Sequence, residues 1–329
     1  MSKSINNLNL TDVVSLLDDA THQKPVLKKE GAGLRARSSS HVVTKIDSQL
    51  AFVNKKAREA ADRQREQVDS RMLQAVLPLW DDESRGVPNP FIRSGLFSVR
   101  NTEKRDWLEN LHIESLKNYD ISYTGKELQQ EDLSVWMALI HLAKDQPMSD
   151  AVFFTGYQLI KDLGWSMNTK SYKRAQESIS RLKVTGIVIN TANQDEGYSG
   201  SLIREFRWKK IGESGDTKWM VRFEPQVSAM FMHDTTTLLE WETRKKIGGR
   251  STVAQWLHGF YSSHQEPFAY GVPKLHELSR SGDTLSSFRS TIKRALQKLQ
   301  DVGFLSKWAI VNDQVHVTRA LRPKLIRSS

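Results

Sequence analysis

The sequence predicts an α+β fold made of two tandem winged-helix (helix-turn-helix) domains, preceded by a flexible basic N-terminal arm. Two parts of the chain share one order of elements: an apolar helix, a short extended piece, a helix, a turn, an amphipathic helix that ends at a glycine, and then strands. Both amphipathic helices place cations opposite an apolar stripe. A single copy of this order occurs in many α+β proteins, so its repetition within one chain is what favours tandem domains.

Composition limits the kind of partner and the kind of site. The chain has 329 residues, which suits more than one domain because single cores stop growing near about 250 residues. Lys and Arg number 48 against 38 Asp and Glu, and a net charge of +10 favours a polyanionic partner such as nucleic acid. There is no cysteine, which excludes disulfides and Cys-based zinc sites. We find no signal peptide and no apolar run of membrane-spanning length, so we expect a cytoplasmic protein without a membrane partner.

Composition also divides the chain into an arm and two domains. Residues 1–73 are predicted to be a disordered basic arm, because stretches such as KKEGAGLRARSSSH and NKKAREAADRQREQVDSR lack an apolar stripe. A solvated linker and a segment that touches phosphates or a partner both fit this composition. Residues 74–232 are assigned to the first winged-helix domain and residues 233–329 to the second.

The first copy of the repeated order begins with the apolar helix LSVWMALIHLA. Thr155 and Gln158 have the spacing of a capping box, and Gly164 suits the end of the helix that they begin. The segment SYKRAQESISRLK then predicts an amphipathic helix, and IVIN, SLIREFRWKK and WMVRFE predict three strands of a large wing. The apolar stripe of the helix consists of Tyr172, Ala175, Ile179 and Leu182.

The second copy begins with the apolar helix TVAQWLHGFYSS. Pro273 suits the first position of the next helix, Gly282 suits its end, and Asp283 or Thr284 can cap the helix that follows. The strands KWAIV and QVHVTR flank the dipeptide ND, which favours a hairpin wing. The apolar stripe of the second amphipathic helix consists of Leu285, Phe288, Ile292, Leu296 and Leu299.

The outward sides of the two amphipathic helices form the predicted DNA-binding surface. A helix fits the major groove, where Arg, Lys, Gln and Glu pair with base edges and Ser holds phosphates. A solvated helix face would also be charged, so the prediction rests on the pair of faces together. The candidate residues are Lys170, Lys173, Arg174, Glu177 and Arg181 in the first helix, Ser287, Ser290, Lys293, Arg294 and Gln297 in the second, and Lys209, Lys210 and Arg319 in the wings.

No catalytic motif is present in the sequence. A GxxxxGK[ST] loop is absent, which excludes ATP hydrolysis of the P-loop kind. The nine histidines form neither HExxH nor His-x-His, so we predict no metal, no cofactor and no catalytic residue. A DNA-nicking recombinase or relaxase is the enzyme alternative.

Four runs carry a resemblance to a known family: LPLWDDESRGVPNPFIRSGLFSVRN, ISYTGKELQQEDLSVWMALIHLAK, GYQLIKDLGWSMNTKSYKRAQESISRL and HGFYSSHQEP. Together they resemble the TrfA family of plasmid replication initiators over residues 77–318. The resemblance implies binding to direct-repeat iterons in double-stranded DNA at a plasmid origin and help in opening an AT-rich segment, with single-stranded origin DNA as a further candidate ligand. It also implies three host partners: the initiator DnaA, the replicative helicase and the sliding clamp. A transcriptional repressor is the alternative, because repression begins with the same DNA contacts.

A short segment is similar to a clamp-binding peptide. QAVLPL, which includes Gln74, Leu77 and Leu79, is similar to the six-residue form of the peptide that docks on the bacterial sliding clamp. Ala75 stands where Leu is usual, and the two leucines can equally belong to the edge of the core. Both interpretations stay open.

Overall fold

The structure is a computed structural model that describes residues 55–56, 80–116, 119–145, 147, 150–191, 197–211, 216–224, 227, 230–231 and 236–320. The chain divides into a unit of residues 1–63 and a unit of residues 64–329, and every element below belongs to the second unit. The predicted arm lies outside the described residues except for Lys55 and Lys56. Gln74, Leu77 and Leu79 of the clamp-like segment also lie outside them.

The second unit mixes helices and strands. Its helices are α1 Asn89–Ile92, α2 Gln130–Ala143, α3 Gly156–Asp162, α4 Thr169–Lys183, α5 Trp241–Ile247, α6 Thr252–Ser262, α7 Val272–Leu278 and α8 Leu285–Asp301. Its strands are β1 Ser84–Pro88, β2 Phe97–Ser98, β3 Trp107–Ile113, β4 Tyr119–Lys126, β5 Leu128–Gln129, β6 Val152–Thr155, β7 Gly186–Thr191, β8 Gly197–Gly200, β9 Glu205–Ile211, β10 Asp216–Arg222, β11 Thr236–Glu240, β12 Tyr270–Gly271, β13 Leu305–Val311 and β14 Gln314–Arg319.

The strands after α4 belong to two different sheets. Strands β6, β10 and β9 form one three-stranded sheet, whereas β7 lies between β4 and β8 in a four-stranded sheet that begins with β3. The prediction that IVIN joins the wing strands is therefore wrong. Ile187 and Ile189 alternate toward the core, and their antiparallel partners Tyr123 and Ile121 on β4 are buried on the same side. This apolar pairing holds β7 in the four-stranded sheet.

The helix boundaries of the first copy follow local signals. Thr155 caps α3: its Oγ1 accepts from the Gln158 amide at 3.2 Å, and the Gln158 side chain accepts from the Thr155 amide at 2.7 Å. This confirms the predicted capping box. Gly164 has φ of 67° just after α3, where a left-handed conformation ends the helix. Asn168 then caps α4, its Oδ1 accepting from the Ser171 amide at 2.9 Å.

The second copy differs from the prediction at the end of its first helix. Pro273 is the second residue of α7 rather than the first, and Thr284 is the cap of α8. The prediction that Gly282 ends α7 is wrong, because the helix ends at Leu278 and Arg280 adopts the left-handed conformation with φ of 48°. The guanidinium of Arg280 donates to buried Glu127 at 3.0 Å, which offsets the strain of a non-glycine residue in this region.

The predicted hairpin after α8 is confirmed. Strands β13 and β14 pair antiparallel, and Asn312 and Asp313 connect them with φ of 49° and 62°. Positive φ at both turn residues matches the twist of the flanking strands, and Asn and Asp tolerate it better than most side chains. Strand β12 adds the third strand of this sheet.

Buried apolar residues form two clusters. The first surrounds α2 and includes Trp136 and the α4 stripe, whereas the second joins α6 to α8 through residues such as Trp256 and Leu299. We call residues 80–231 the first half and residues 236–320 the second half. Strand β1 of the first half pairs antiparallel with β11 of the second, and Val99 of the first half packs in the second cluster.

A buried arginine also connects the halves. Arg244 on α5 donates from Nε to Ser134 Oγ at 3.0 Å, from Nη2 to the Gln130 carbonyl at 3.1 Å and from Nη1 to the Gln255 carbonyl at 3.2 Å. Burial lowers the pKa of Arg244 to about 9, so the side chain is still charged at neutral pH. No described carboxylate forms an ion pair with it. Neutral oxygens from both halves therefore solvate this cation.

Truncating a residue of the α8 stripe should destabilise the protein, whereas truncating a residue on the outward face should not. Leu299 is fully buried, so Leu299→Ala should lower the free energy of unfolding by about 2–5 kcal/mol through lost burial and a residual cavity. Gln297 is exposed on the same helix, and Gln297→Ala should change it by less than about 0.5 kcal/mol. Urea denaturation of both variants measures the difference, and equal stability of the two would contradict the packing described for α8.

Candidate nucleic-acid interface

The outward face of α4 borders an open recess. Lys170, Lys173 and Glu177 are exposed there, with the Lys173 ammonium 3.9 Å from the Glu177 carboxylate. The recess has a volume of about 490 Å³, and residues before β3 also line it: Asn101, Thr102, Glu103 and Arg105. All five residues predicted on this helix line it. The structure therefore brings the predicted α4 residues together along one groove.

Arg174 is held in place at the edge of that face. Its Nη2 donates to Glu131 on α2, and its guanidinium lies over the Trp165 ring at 4.3 Å from the ring centroid. The side chain is 42% exposed, so part of the guanidinium remains accessible to solvent. Both contacts restrict its rotamers, and a restricted arginine loses less entropy when it binds an anion.

Arg181 lines the same recess, but its predicted exposed position on the outward face is wrong because the side chain is largely buried; its assignment to DNA binding stays a prediction. Its side chain is 12% exposed, and Nε and Nη2 donate to Oδ1 of fully buried Asp132 at 3.1 and 2.8 Å. Ser178 and Arg105 also donate to this carboxylate. A buried carboxylate requires several donors, and Arg181 supplies two of them. The spacing of Gln129 and Asp132, a capping box at the start of α2, is the sequence signal that could have revealed this anion.

The outward face of α8 carries the predicted residues as expected from its periodicity. Ser287, Ser290, Lys293, Arg294 and Gln297 are all exposed. Arg294 donates to Thr291 Oγ1 at 3.2 Å, and Gln297 donates to Asp301 at 2.9 Å. Neither contact removes the side chain from solvent. Helix α8 therefore presents polar and cationic groups opposite a stripe that is buried except for partly buried Leu285.

The predicted wing residues fall in different surroundings. Lys209 and Lys210 are exposed on β9, and exposed Lys218 lies opposite Lys209 on β10, a third cation that the sequence reasoning missed. Arg319 lies at the end of β14 distant from the hairpin turn and donates to the Gln265 carbonyl at 2.5 Å. The structure therefore does not bring Arg319 together with the α8 residues.

One contact missed by the sequence reasoning fixes the hairpin against α8. Arg289 donates from Nε and Nη2 to the two carboxylate oxygens of Asp313 at 3.0 and 2.7 Å. The hydrogen bond from Arg289 lowers the pKa of Asp313 below its usual value. This bidentate pair sets the position of the wing turn relative to the start of α8. No local pattern could indicate it, because the partners are 24 residues apart.

The described part of the chain contains neither a metal-binding cluster nor a membrane-spanning helix. No group of three or more His, Asp or Glu side chains there could hold a metal ion. None of the described helices is both long and apolar enough to cross a membrane.

Comparison with known proteins defines the class. The plasmid replication initiator protein TrfA of Escherichia coli is 29% identical over 316 residues, which cover 89% of this chain and 80% of that protein. RepFIB replication protein A of Salmonella typhi is 23% identical over 230 residues, 67% of this chain and 70% of that protein. These relatives and the sequence pattern identify the chain as a plasmid replication initiator. The chain belongs to the TrfA family, whose model, described as TrfA protein, matches residues 44–319.

A solved structure shares part of the fold. The crystal structure of domains 2 and 3 of RctB superposes with a TM-score of 0.50 at 12% identity, covering 68% of this chain and 95% of that chain. At this identity the likeness concerns the fold alone.

Substitutions at two arginines should have separate effects, one on DNA binding and the other on the stability of the fold. Arg294→Ala should weaken binding to a specific duplex by about 1–3 kcal/mol without loss of fold, because its guanidinium is exposed and contacts one hydroxyl. Arg181→Ala should lower the free energy of unfolding by about 1–3 kcal/mol, because a fully buried carboxylate loses two donors. Duplex titration and urea denaturation measure both effects. If Arg294→Ala folds normally and binds the duplex as tightly as the wild type does, the DNA-binding surface lies in another part of the protein.

Proposed function

We propose that this initiator binds direct-repeat iterons at a plasmid origin through two tandem winged-helix domains, residues 74–232 and 233–329. Each domain would place one helix, α4 or α8, in the major groove, with β9 and β10 as the wing of the first domain and β13 and β14 as the wing of the second. The main observation in support is an arrangement that occurs twice. In each copy a short helix is followed by a longer helix with a side-chain cap, and the longer helix has a buried stripe on one side and exposed polar groups on the other.

The unlike side chains of the two helices determine the kind of site. Lys173 and Glu177 project from α4, whereas Ser290, Lys293 and Gln297 project from α8. Lys pairs with guanine, Glu accepts from cytosine and Gln pairs with adenine. Two different sets in one chain suit two different half-sites, so each repeat is asymmetric and is bound in one direction. A palindrome would instead require a symmetric dimer.

The remaining steps of initiation follow from binding. The sequence has no P-loop, so opening of an AT-rich segment draws on the energy of DNA binding and deformation. The host partners in this proposal are DnaA, the replicative helicase and the sliding clamp, with residues 74–79 as the clamp-binding segment. Exposed single-stranded origin DNA is a further ligand, and the protein acts in the cytoplasm.

Replication in cells tests the proposal and separates an initiator from a repressor. A small plasmid that carries only this gene, a marker and the flanking DNA should replicate in a host that cannot otherwise maintain it. A Lys293→Ala and Arg294→Ala double variant should abolish maintenance because α8 loses two of the cations on its outward face. Lys183→Ala, an exposed cation at the opposite end of α4 from its cap, serves as the matched control and should leave maintenance unchanged.

Two results would contradict the proposal. Failure of the wild-type plasmid to replicate, together with specific binding to the flanking DNA, would favour a repressor. Replication by the double variant at the wild-type copy number would show that α8 is not the DNA-binding helix.

A further inference from the structure

The segment 248–251 lies between α4 and α8. It connects α5 to α6, and its backbone is shaped by Gly248 with φ of 80° and by a hydrogen bond of 3.1 Å from the Ser251 amide to the Gly248 carbonyl. On one side, a Cβ atom added to Gly249 would lie 3.8 Å from Nη2 of Arg174 on α4. On the other side, Arg250 shares a recess with Arg294 on α8. The segment therefore connects the outward face of α4 to the outward face of α8.

The chemistry of this recess suits an anion. It has a volume of about 260 Å³, and its polar lining consists of two guanidinium groups and three hydroxyl groups, without a carboxylate. Arg250 is exposed and makes no hydrogen bond or ion pair with a described residue. Two arginines side by side repel each other unless an anion lies between them, and guanidinium groups bind phosphate oxygens with short, charge-assisted hydrogen bonds.

The position of the recess indicates which anion would bind there. When two helices enter successive major-groove segments on one face of a duplex, the sugar–phosphate backbone that borders the intervening minor groove faces the protein between them. Segment 248–251 occupies that position relative to α4 and α8.

We propose that Arg250, together with Arg294, binds a phosphodiester group of the DNA backbone between the two major-groove contacts. This proposal rests on the proposed function, because it requires α4 and α8 to bind one duplex. The contact carries no base information. It sets the register of the two helices on the duplex, as backbone contacts generally do.

Salt dependence tests the contact. The probe is the duplex of about 30 bp that the wild-type chain selects from a random-sequence pool, which exceeds two turns of DNA. Arg250→Ala should weaken binding by roughly two- to tenfold at about 0.1 M salt and reduce the slope of log affinity against log salt by about 0.9, the value for one phosphate. Lys183→Ala should change neither quantity. Arg250 is exposed, so thermal unfolding should be unchanged.

Replacing single DNA phosphates by uncharged analogues locates the Arg250 contact. Methylphosphonate substitution at each position in turn should reveal one position between the half-sites where wild-type affinity falls and the affinity of Arg250→Ala does not. Other sensitive positions should be shared by both proteins. An identical set of sensitive positions in wild type and Arg250→Ala would overturn the proposal.

The outcomes separate this proposal from the proposed function. If the wild-type chain selects no duplex, both fail. If binding to the selected duplex requires Lys293 but Arg250→Ala behaves like Lys183→Ala, only the Arg250 contact is wrong.

Discussion

The arrangement of α4 and α8, the helices that we propose bind DNA, depends on the buried contacts that join the halves, among them those of Arg244. A charged group costs several kcal/mol to bury unless donors or acceptors replace water. Arg244 obtains those acceptors from Gln130 and Ser134 of the first half and from Gln255 of the second. Its four hydrogen bonds are directional, so they are satisfied in one relative orientation of α2, α5 and α6. Such a contact contributes specificity of arrangement more than net stability.

A continuous set of contacts connects Arg244 to the outward faces of α4 and α8. Helix α4 is anchored on α2 through Arg181 and Asp132, and α8 packs on α6 in the second apolar cluster. Close backbone approach adds to this: a Cβ atom on Gly259 of α6 would lie 3.0 Å from Cγ2 of Ile92 on α1, so only glycine fits there without displacement. Helices α4 and α8 are thus separated by packed elements rather than by a free linker. A fixed separation is what an asymmetric site with two unlike halves requires.

Local signals in the sequence predicted most of the elements, because the energetics that set them are local. The capping box of Thr155 and Gln158, the hairpin turn at Asn312 and the buried stripes of α4 and α8 all follow from residues within a few positions of one another. The TrfA resemblance is also confirmed by the family match. The assignment of individual DNA-binding residues stays a prediction.

Long-range pairings account for what the sequence did not predict. Strand β7 leaves the wing because β4, more than 60 residues earlier, offers a buried apolar partner. Arg181 turns inward because Asp132, 49 residues earlier, is fully buried. After α7, Arg280 adopts the left-handed conformation that the sequence pattern assigned to Gly282, and Glu127 of the first half binds its side chain. In each case the deciding partner lies in a distant part of the chain, and periodicity alone contains no information on it.

Changing the spacing between half-sites tests most directly whether one fixed arrangement of α4 and α8 binds one asymmetric site. Duplexes with about 1 to 5 bp inserted between the two halves of the selected site rotate one half around the helix axis, by half a turn at about 5 bp. The account predicts that affinity falls with the first insertion and reaches the non-specific value near half a turn. Equal affinity for all spacings would contradict it, because it would show that the two halves of the protein move independently.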